Sequence, residues 1–320
     1  MRLMTRRLAA VGLALLALSG TVLAQGGRTV RVIVPYPPGG SADVLMRLIG
    51  PQVSETTGAN VVIENRPGAG TVIATEYVSH ATPDGNTALI MSNSFVINPH
   101  MRTLAYDPLT SFTPVCNLVT SPNLIVVNVS APYRTLTDLL TAAREQPGKL
   151  TMSSVGPATT QHIGFEQLKL AAKVNMTYVP FPGGAPAVNA LLGDHVTAVY
   201  GNYSEVFEQI KAGKLRALAA TGARRIAMLP DLPTVAEQGF PGYDVEVWLG
   251  MVVPAGTPQA AVDRLAALFM DAMKVPTIRE RLAVLGLTPA GTCGTDFAKQ
   301  IRGKYDEYAK IIKEAAIKGE

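Results

Sequence analysis

Histidine is scarce in this chain of 320 residues. Its four copies, His80, His100, His162 and His195, are scattered, and none stands at metal-ligand spacing from another. That argues against a histidine-built metal centre, and no cofactor is expected. A lipase-type Gly-x-Ser-x-Gly and a Walker-type phosphate loop are both absent. Gly68-Ala69-Gly70-Thr71-Val72-Ile73 starts like a dinucleotide fingerprint but places Ile73 where the third glycine belongs. Aromatics make up only 6% of the residues, and no Lys/Arg stripe is interleaved with them, so nucleic-acid binding is unsupported. Low-complexity segments and short-period repeats are also missing.

The apolar run at residues 8–18 is too short to span a bilayer comfortably. It follows Arg2, Arg6 and Arg7 and precedes Val22-Leu23-Ala24, the order of a secretory signal peptide cut after residue 24. Residues 1–24 are therefore expected to be removed and the rest exported. Their loss takes Lys+Arg from 28 to 25 against 24 Asp+Glu, leaving a net charge of +1 rather than +4. Such a balance points to no polyanionic partner. In an oxidising compartment the two cysteines, Cys116 and Cys293, more often bridge than stay free, provided their Cα atoms lie within about 7 Å. At 48% hydrophobic, the remaining chain can bury a substantial core.

One phrase occurs twice. Val34-Pro35-Tyr36-Pro37-Pro38-Gly39-Gly40-Ser41-Ala42 is echoed by Val179-Pro180-Phe181-Pro182-Gly183-Gly184-Ala185-Pro186-Ala187. Each copy follows a strand-like apolar run and precedes a helical stripe: Val44, Leu45, Leu48, Ile49 in one, Val188, Leu191, Leu192 in the other. A strand that breaks at Pro-Gly and restarts as a helix presents unpaired N–H groups and the positive dipole end, an anion site without a charged side chain. Strand-like and helix-like runs alternate along the chain, which predicts α/β architecture with mostly parallel sheets. Two copies of the unit and a late return predict two lobes. Strands at 124–129 and 246–253 would cross between them, dividing the chain into 25–125 plus 248–320 and 126–247.

Further polar clusters close predicted strands. Ser92 and Asn93 end the run at 88–92, and Ser154, Gly156, Thr159, Thr160 and His162 form a junction dense in neutral donors. Thr159 is placed to cap the next helix, and His162 is read as an orienting or loop-bracing residue. Trp248 fits a core aromatic as well as a cleft wall.

As an ordered set, several motifs resemble the Bug (TctC-like) solute receptors of tripartite tricarboxylate transporters. They include Val34 to Asp43, Glu64-Asn65-Arg66-Pro67-Gly68-Ala69-Gly70, Tyr106-Asp107-Pro108 and Gly183-Gly184-Ala185-Pro186-Ala187. Asp84-Gly85, Asn98-Pro99, Leu229-Pro230-Asp231-Leu232-Pro233-Thr234-Val235, Trp248-Leu249-Gly250 and Pro254-Ala255-Gly256-Thr257-Pro258 complete the set. The resemblance implies a monomeric periplasmic binding protein of type II topology whose two lobes close over a small carboxylate and deliver it to membrane permease subunits. By position, ligand contacts would fall on Tyr36, Gly39, Gly40, Ser41 and Asp43, on Ser154, Gly156, Thr159, Thr160 and His162, and on Gly183, Gly184 and Ala185. Three residues depart from the family pattern: Pro182 replaces a usual Lys or Arg, Pro157-Ala158 replaces a Gly-containing turn, and Thr71 replaces Gly. Two other readings stay open, a sensor protein for a signalling receptor and a carboxylate-processing enzyme on the same fold. The enzyme lacks an evident nucleophile or paired acid and base.

Overall fold

The computed structural model describes residues 29–317. The expected signal peptide at 1–24 lies outside the described residues. In chain order, β1 (Thr29–Val34), α1 (Ser41–Thr57), β2 (Asn60–Asn65), α2 (Val72–Ser79), β3 (Thr87–Met91) and α3 (Ser94–Met101) lead into a long strand, β4 (Phe112–Asn128). There follow α4 (Leu136–Glu145), β5 (Thr151–Ser154), α5 (Thr160–Ala172), β6 (Thr177–Pro180), α6 (Gly184–Leu192), β7 (Ala198–Asn202), α7 (Tyr203–Lys211) and β8 (Leu215–Ala220). The chain ends with β9 (Glu246–Pro254), α8 (Gln259–Ala272), α9 (Pro276–Val284), β10 (Thr288–Cys293) and α10 (Gly294–Glu314).

The strands form two wings that share β4. In the first wing β1 lies parallel to β2 and β3, while β9 is antiparallel to both β3 and β4. In the second, β5 lies parallel to β6 and β7, and β4 is antiparallel to β7 and β8. Helices cover both faces of each wing, so the strands read as near-continuous apolar runs. In β1, Val30, Val32 and Val34 face the helices α1 and α8, whereas Ile33 points to the opposite layer, with α2, α3 and α10.

The strand exchange is sharp. Residues 112–122 of β4 pair with β9, and from Asn123 onward β4 pairs with β7 and β8. The expected outward crossing at 124–129 thus already lies in the second wing, and β9, expected to cross back, pairs wholly in the first. The crossings fall a few residues earlier on each pass. Thr221 clamps them: its hydroxyl lies 3.2 Å from the Asn123 carbonyl and 2.7 Å from that of Val245. The strand expected at 195–200 starts instead at Ala198, after the loop that closes α6.

Cys116 and Cys293 are disulfide-bonded, with Cα atoms 4.0 Å apart, which ties β10 to β4. Thr71, one of the departures from the family pattern, has φ +87°, where glycine is normally at ease. Asn98 holds that turn, donating to the Gly70 carbonyl at 2.8 Å and to the Thr71 hydroxyl at 3.2 Å.

Candidate ligand-binding site

A cavity of about 550 Å³ opens where the carboxyl ends of strands from both wings face one another. From the first wing it is lined by the Tyr36–Ala42 turn, Ser92 and Ser94; from the second by Thr159, Thr160, Gln161, the Pro182–Pro186 turn, Asn202, Ser204 and Glu205. Val247 and Leu249 form its floor, while Trp248, pointing the other way from β9, packs edge-on against Phe297. Trp248 is therefore a core aromatic. Alternation along the strand decides between its two sequence readings.

The first copy of the repeated phrase places Gly40 at the N-cap of α1, and no side chain caps that helix. The N–H groups of its first turn face the cavity mouth without an intrahelical partner. Asp43 does not line the cavity. Its carboxylate accepts the Gly39 N–H at 2.9 Å, Arg47 Nε at 3.0 Å and Asn65 Nδ2 at 2.8 Å, and so fixes the turn that does. Burial pushes the Asp43 carboxyl up, but Arg47, the Gly39 N–H and Asn65 together hold it below the usual carboxylate value. The Tyr36 hydroxyl bonds to that of Ser92, and burial raises its pKa. Tyr36 is thus a neutral wall.

On the second wing the predicted residues divide. Thr159, Thr160, Gly183, Gly184 and Ala185 line the cavity; Ser154, Gly156 and His162 lie behind it. Tyr178 gathers these three: its hydroxyl pairs with Ser154 Oγ at 2.9 Å and donates to the Gly156 carbonyl at 2.5 Å, while the His162 ring stacks on it at 4.3 Å. Thr159 accepts the His162 N–H at 3.3 Å and so caps α5. Asn93 also stands back, donating to Tyr308 and to the Glu246 carbonyl and accepting the Trp248 N–H. It locks β9 against α10.

Sequence reading missed Gln161, Asn202, Ser204 and Glu205. The signal for the last three was present. Asn202-x-x-Glu205 has capping-box spacing directly after an apolar run, the same pattern that marks Thr234 and Glu237. Glu205 Oε2 accepts the Asn202 N–H at 3.1 Å, and Oε1 accepts Asn202 Nδ2 at 2.9 Å. Burial raises the Glu205 pKa. Among the residues lining the cavity there is no Lys, Arg, His or Asp, so Glu205 is its one carboxylate.

Two α/β wings joined by strands that cross between them, with a ligand-sized cavity at their junction, define the periplasmic binding protein class. The chain belongs to the tripartite tricarboxylate transporter family of receptors, whose model matches residues 45–317. It is 35% identical to a UPF0065 protein in the tcbD-tcbE intergenic region of Pseudomonas sp. (strain P51), over 97% of this chain and 94% of that one. Among solved structures it resembles the periplasmic binding protein BugD, with 31% identity and a TM-score of 0.85 over 92% of this chain and 99% of that one. It also resembles Rpa4515 of R. palustris, solved with adipate, with 33% identity and a TM-score of 0.87 over 92% and 99% of the two chains.

Proposed function

We propose that the protein is a periplasmic receptor that captures a small organic carboxylate and delivers it to a tripartite tricarboxylate-type membrane permease. One observation carries this: the uncapped first turn of α1 opens into a largely apolar cavity whose polar side chains, from both wings, are neutral hydrogen-bond donors apart from Glu205. Several charge-assisted bonds of about 1.5–3 kcal/mol each offset the cost of desolvating a carboxylate. The solved relative that holds adipate supports the same ligand class. The reading includes export with cleavage after residue 24, action as a monomer, and a hinge at Pro122–Asn123 and Val245–Glu246 where strands change partners. It assigns no catalytic residue.

The test is a thermal-shift and calorimetric screen of the purified chain against aliphatic, aromatic and amino-acid carboxylates. At least one should raise the melting temperature and bind at one-to-one stoichiometry. No response across the panel overturns the reading. Mass spectrometry of co-purifying small molecules addresses ligand identity, and pull-down with membrane permease subunits addresses delivery.

A further inference from the structure

We propose that Glu205 selects a ligand carrying an amino group as well as a carboxylate, so that the preferred solutes are amino-carboxylates. The inference rests on the reading of the cavity as a carboxylate site. Its starting point is the relay that fixes Glu205. Gln161 Nε2 donates to Asn202 Oδ1 at 2.9 Å and to Asn123 Oδ1 at 3.2 Å, so the Asn202 amide must turn its NH₂ toward Glu205. With the Asn202 backbone N–H on the other oxygen, each Glu205 oxygen already accepts one bond, and both are held as acceptors. That leaves one further lone pair on each oxygen.

Glu205 also ends in an exact-fitting hollow. A Cβ at Gly184 would stand 2.1 Å from its carboxyl carbon, so the glycine that opens α6 leaves room for this carboxylate beside the cavity. The second copy of the repeated phrase therefore has a protein carboxylate lodged against its helix start, where the first copy has an uncapped helix. Capping alone accounts for one Glu205 oxygen, not for the placement of the group in the wall of a ligand cavity. No Lys, Arg or His lines that cavity. A ligand carboxylate entering it would meet a second negative charge with no protein cation between them. A buried charge without a partner is strongly unfavourable. A ligand that brings its own ammonium resolves this, placing its carboxylate toward α1 and its cation on the remaining Glu205 lone pairs.

Calorimetry on the wild-type chain at pH 7.5 with matched pairs tests the idea: propanoate against 3-aminopropanoate, pentanoate against 5-aminopentanoate, and glutarate against glutamate. In at least one pair the amino member should bind about tenfold tighter or more. Glu205→Gln keeps one acceptor at the third helical position for the Asn202 backbone N–H, so the helix cap survives, but it gives up the bond from Asn202 Nδ2. It should abolish the preference, so that the two members of a pair bind alike. If amine-free members bind as well as their partners throughout, the inference fails and the carboxylate site stands. Dicarboxylate binding that tightens on acidification, with no gain from the amine, makes Glu205 a protonated donor and also overturns it. If no member of any pair binds, this inference fails, and the broader carboxylate panel decides the reading it rests on. Should Glu205→Gln not fold by circular dichroism, the wild-type ratios decide alone.

Discussion

The side-chain oxygens of Ser41 and Ser204 lie 2.9 Å apart across the cavity, one at the start of α1 and the other in α7. Ser41 belongs to the first wing and Ser204 to the second, so this bond bridges the two. Under the proposed hinge motion, a bond that bridges the wings is made in the closed form and lost on opening, and so favours closure. Ser204→Ala removes a neutral hydrogen bond, which contributes about 0.5–1.5 kcal/mol, so ligand Kd should rise about two- to tenfold. The melting temperature without ligand should hardly move. Calorimetry reads the first effect and small-angle scattering the accompanying shift to a wider form. An unchanged Kd would mean that the contact does not contribute to closure.

Gly40 and Gly39 are adjacent but should respond differently to substitution. Gly40 has φ −73°, and a Cβ there would meet only the Pro37 carbonyl oxygen at 3.6 Å and Tyr36 Cβ at 3.9 Å, ordinary contacts. Gly40→Val should therefore fold, losing about 1 kcal/mol or less as a poorer N-cap, yet lose at least tenfold in affinity because the side chain obstructs the helix mouth. Gly39 has φ +88°, the left-handed region. Gly39→Ala should lower stability itself, by about 1–2 kcal/mol, with nothing in steric contact to blame. Paired melting and binding curves for the two variants separate the effects. Equal loss of stability in both would refute the distinction.

Much of this architecture is legible in the residues because apolar periodicity reports burial. The stripe at Val262, Leu265 and Phe269 and the one at Phe297, Ile301, Tyr308 and Ile312 are the buried faces of α8 and α10. What escaped had no such signal. The strand β10, Thr288–Cys293, is a mostly exposed edge with Pro and Gly, and it is held by pairing with β4 and by a disulfide. The part of β4 that pairs with β9 carries Pro114 and Pro122, which disguise it as a loop. At the site, turn chemistry announced Tyr36 to Ser41 and Gly183 to Ala185. The division between residues that line the cavity and residues that brace it was not visible. Asp43, Asn93 and His162 look like ligands by residue type, but their partners, Arg47, Tyr308 and Tyr178, are set by tertiary packing.

The Cys116–Cys293 bond spans 177 residues of sequence, and the intervening chain includes the entire second wing. In the chain-entropy account, a closed loop of that length constrains the unfolded state by about 5 kcal/mol, with measured values commonly about 2–4. The double variant Cys116→Ser with Cys293→Ser should thus melt well below wild type. Neither cysteine lines the cavity, so its carboxylate affinity at a temperature where both proteins are folded should match wild type. A matching loss of affinity would show that the disulfide shapes the site. An unchanged melting temperature would show that β10 is secured by its pairing alone.

Asp43 makes the binding turn sensitive to acid. Its folded pKa lies below the ordinary carboxylate value because Arg47, the Gly39 N–H and Asn65 outweigh the effect of burial. A depressed folded pKa contributes stability that is present above the unfolded value, near pH 4, and is lost as pH falls through the folded one. Arg47 is 54% exposed, so solvent screens its share, and the bonds from Gly39 and Asn65 should carry most of the effect. Asp43→Asn should therefore melt lower than wild type at pH 7 and bind carboxylates more weakly, because Gly39 loses its charged acceptor. The gap in melting temperature should narrow as the pH is taken from 7 down through the folded pKa of Asp43, below the ordinary carboxylate value, where wild-type Asp43 also becomes protonated. A gap that stays constant over that range would assign the loss to side-chain geometry rather than to the charge of Asp43.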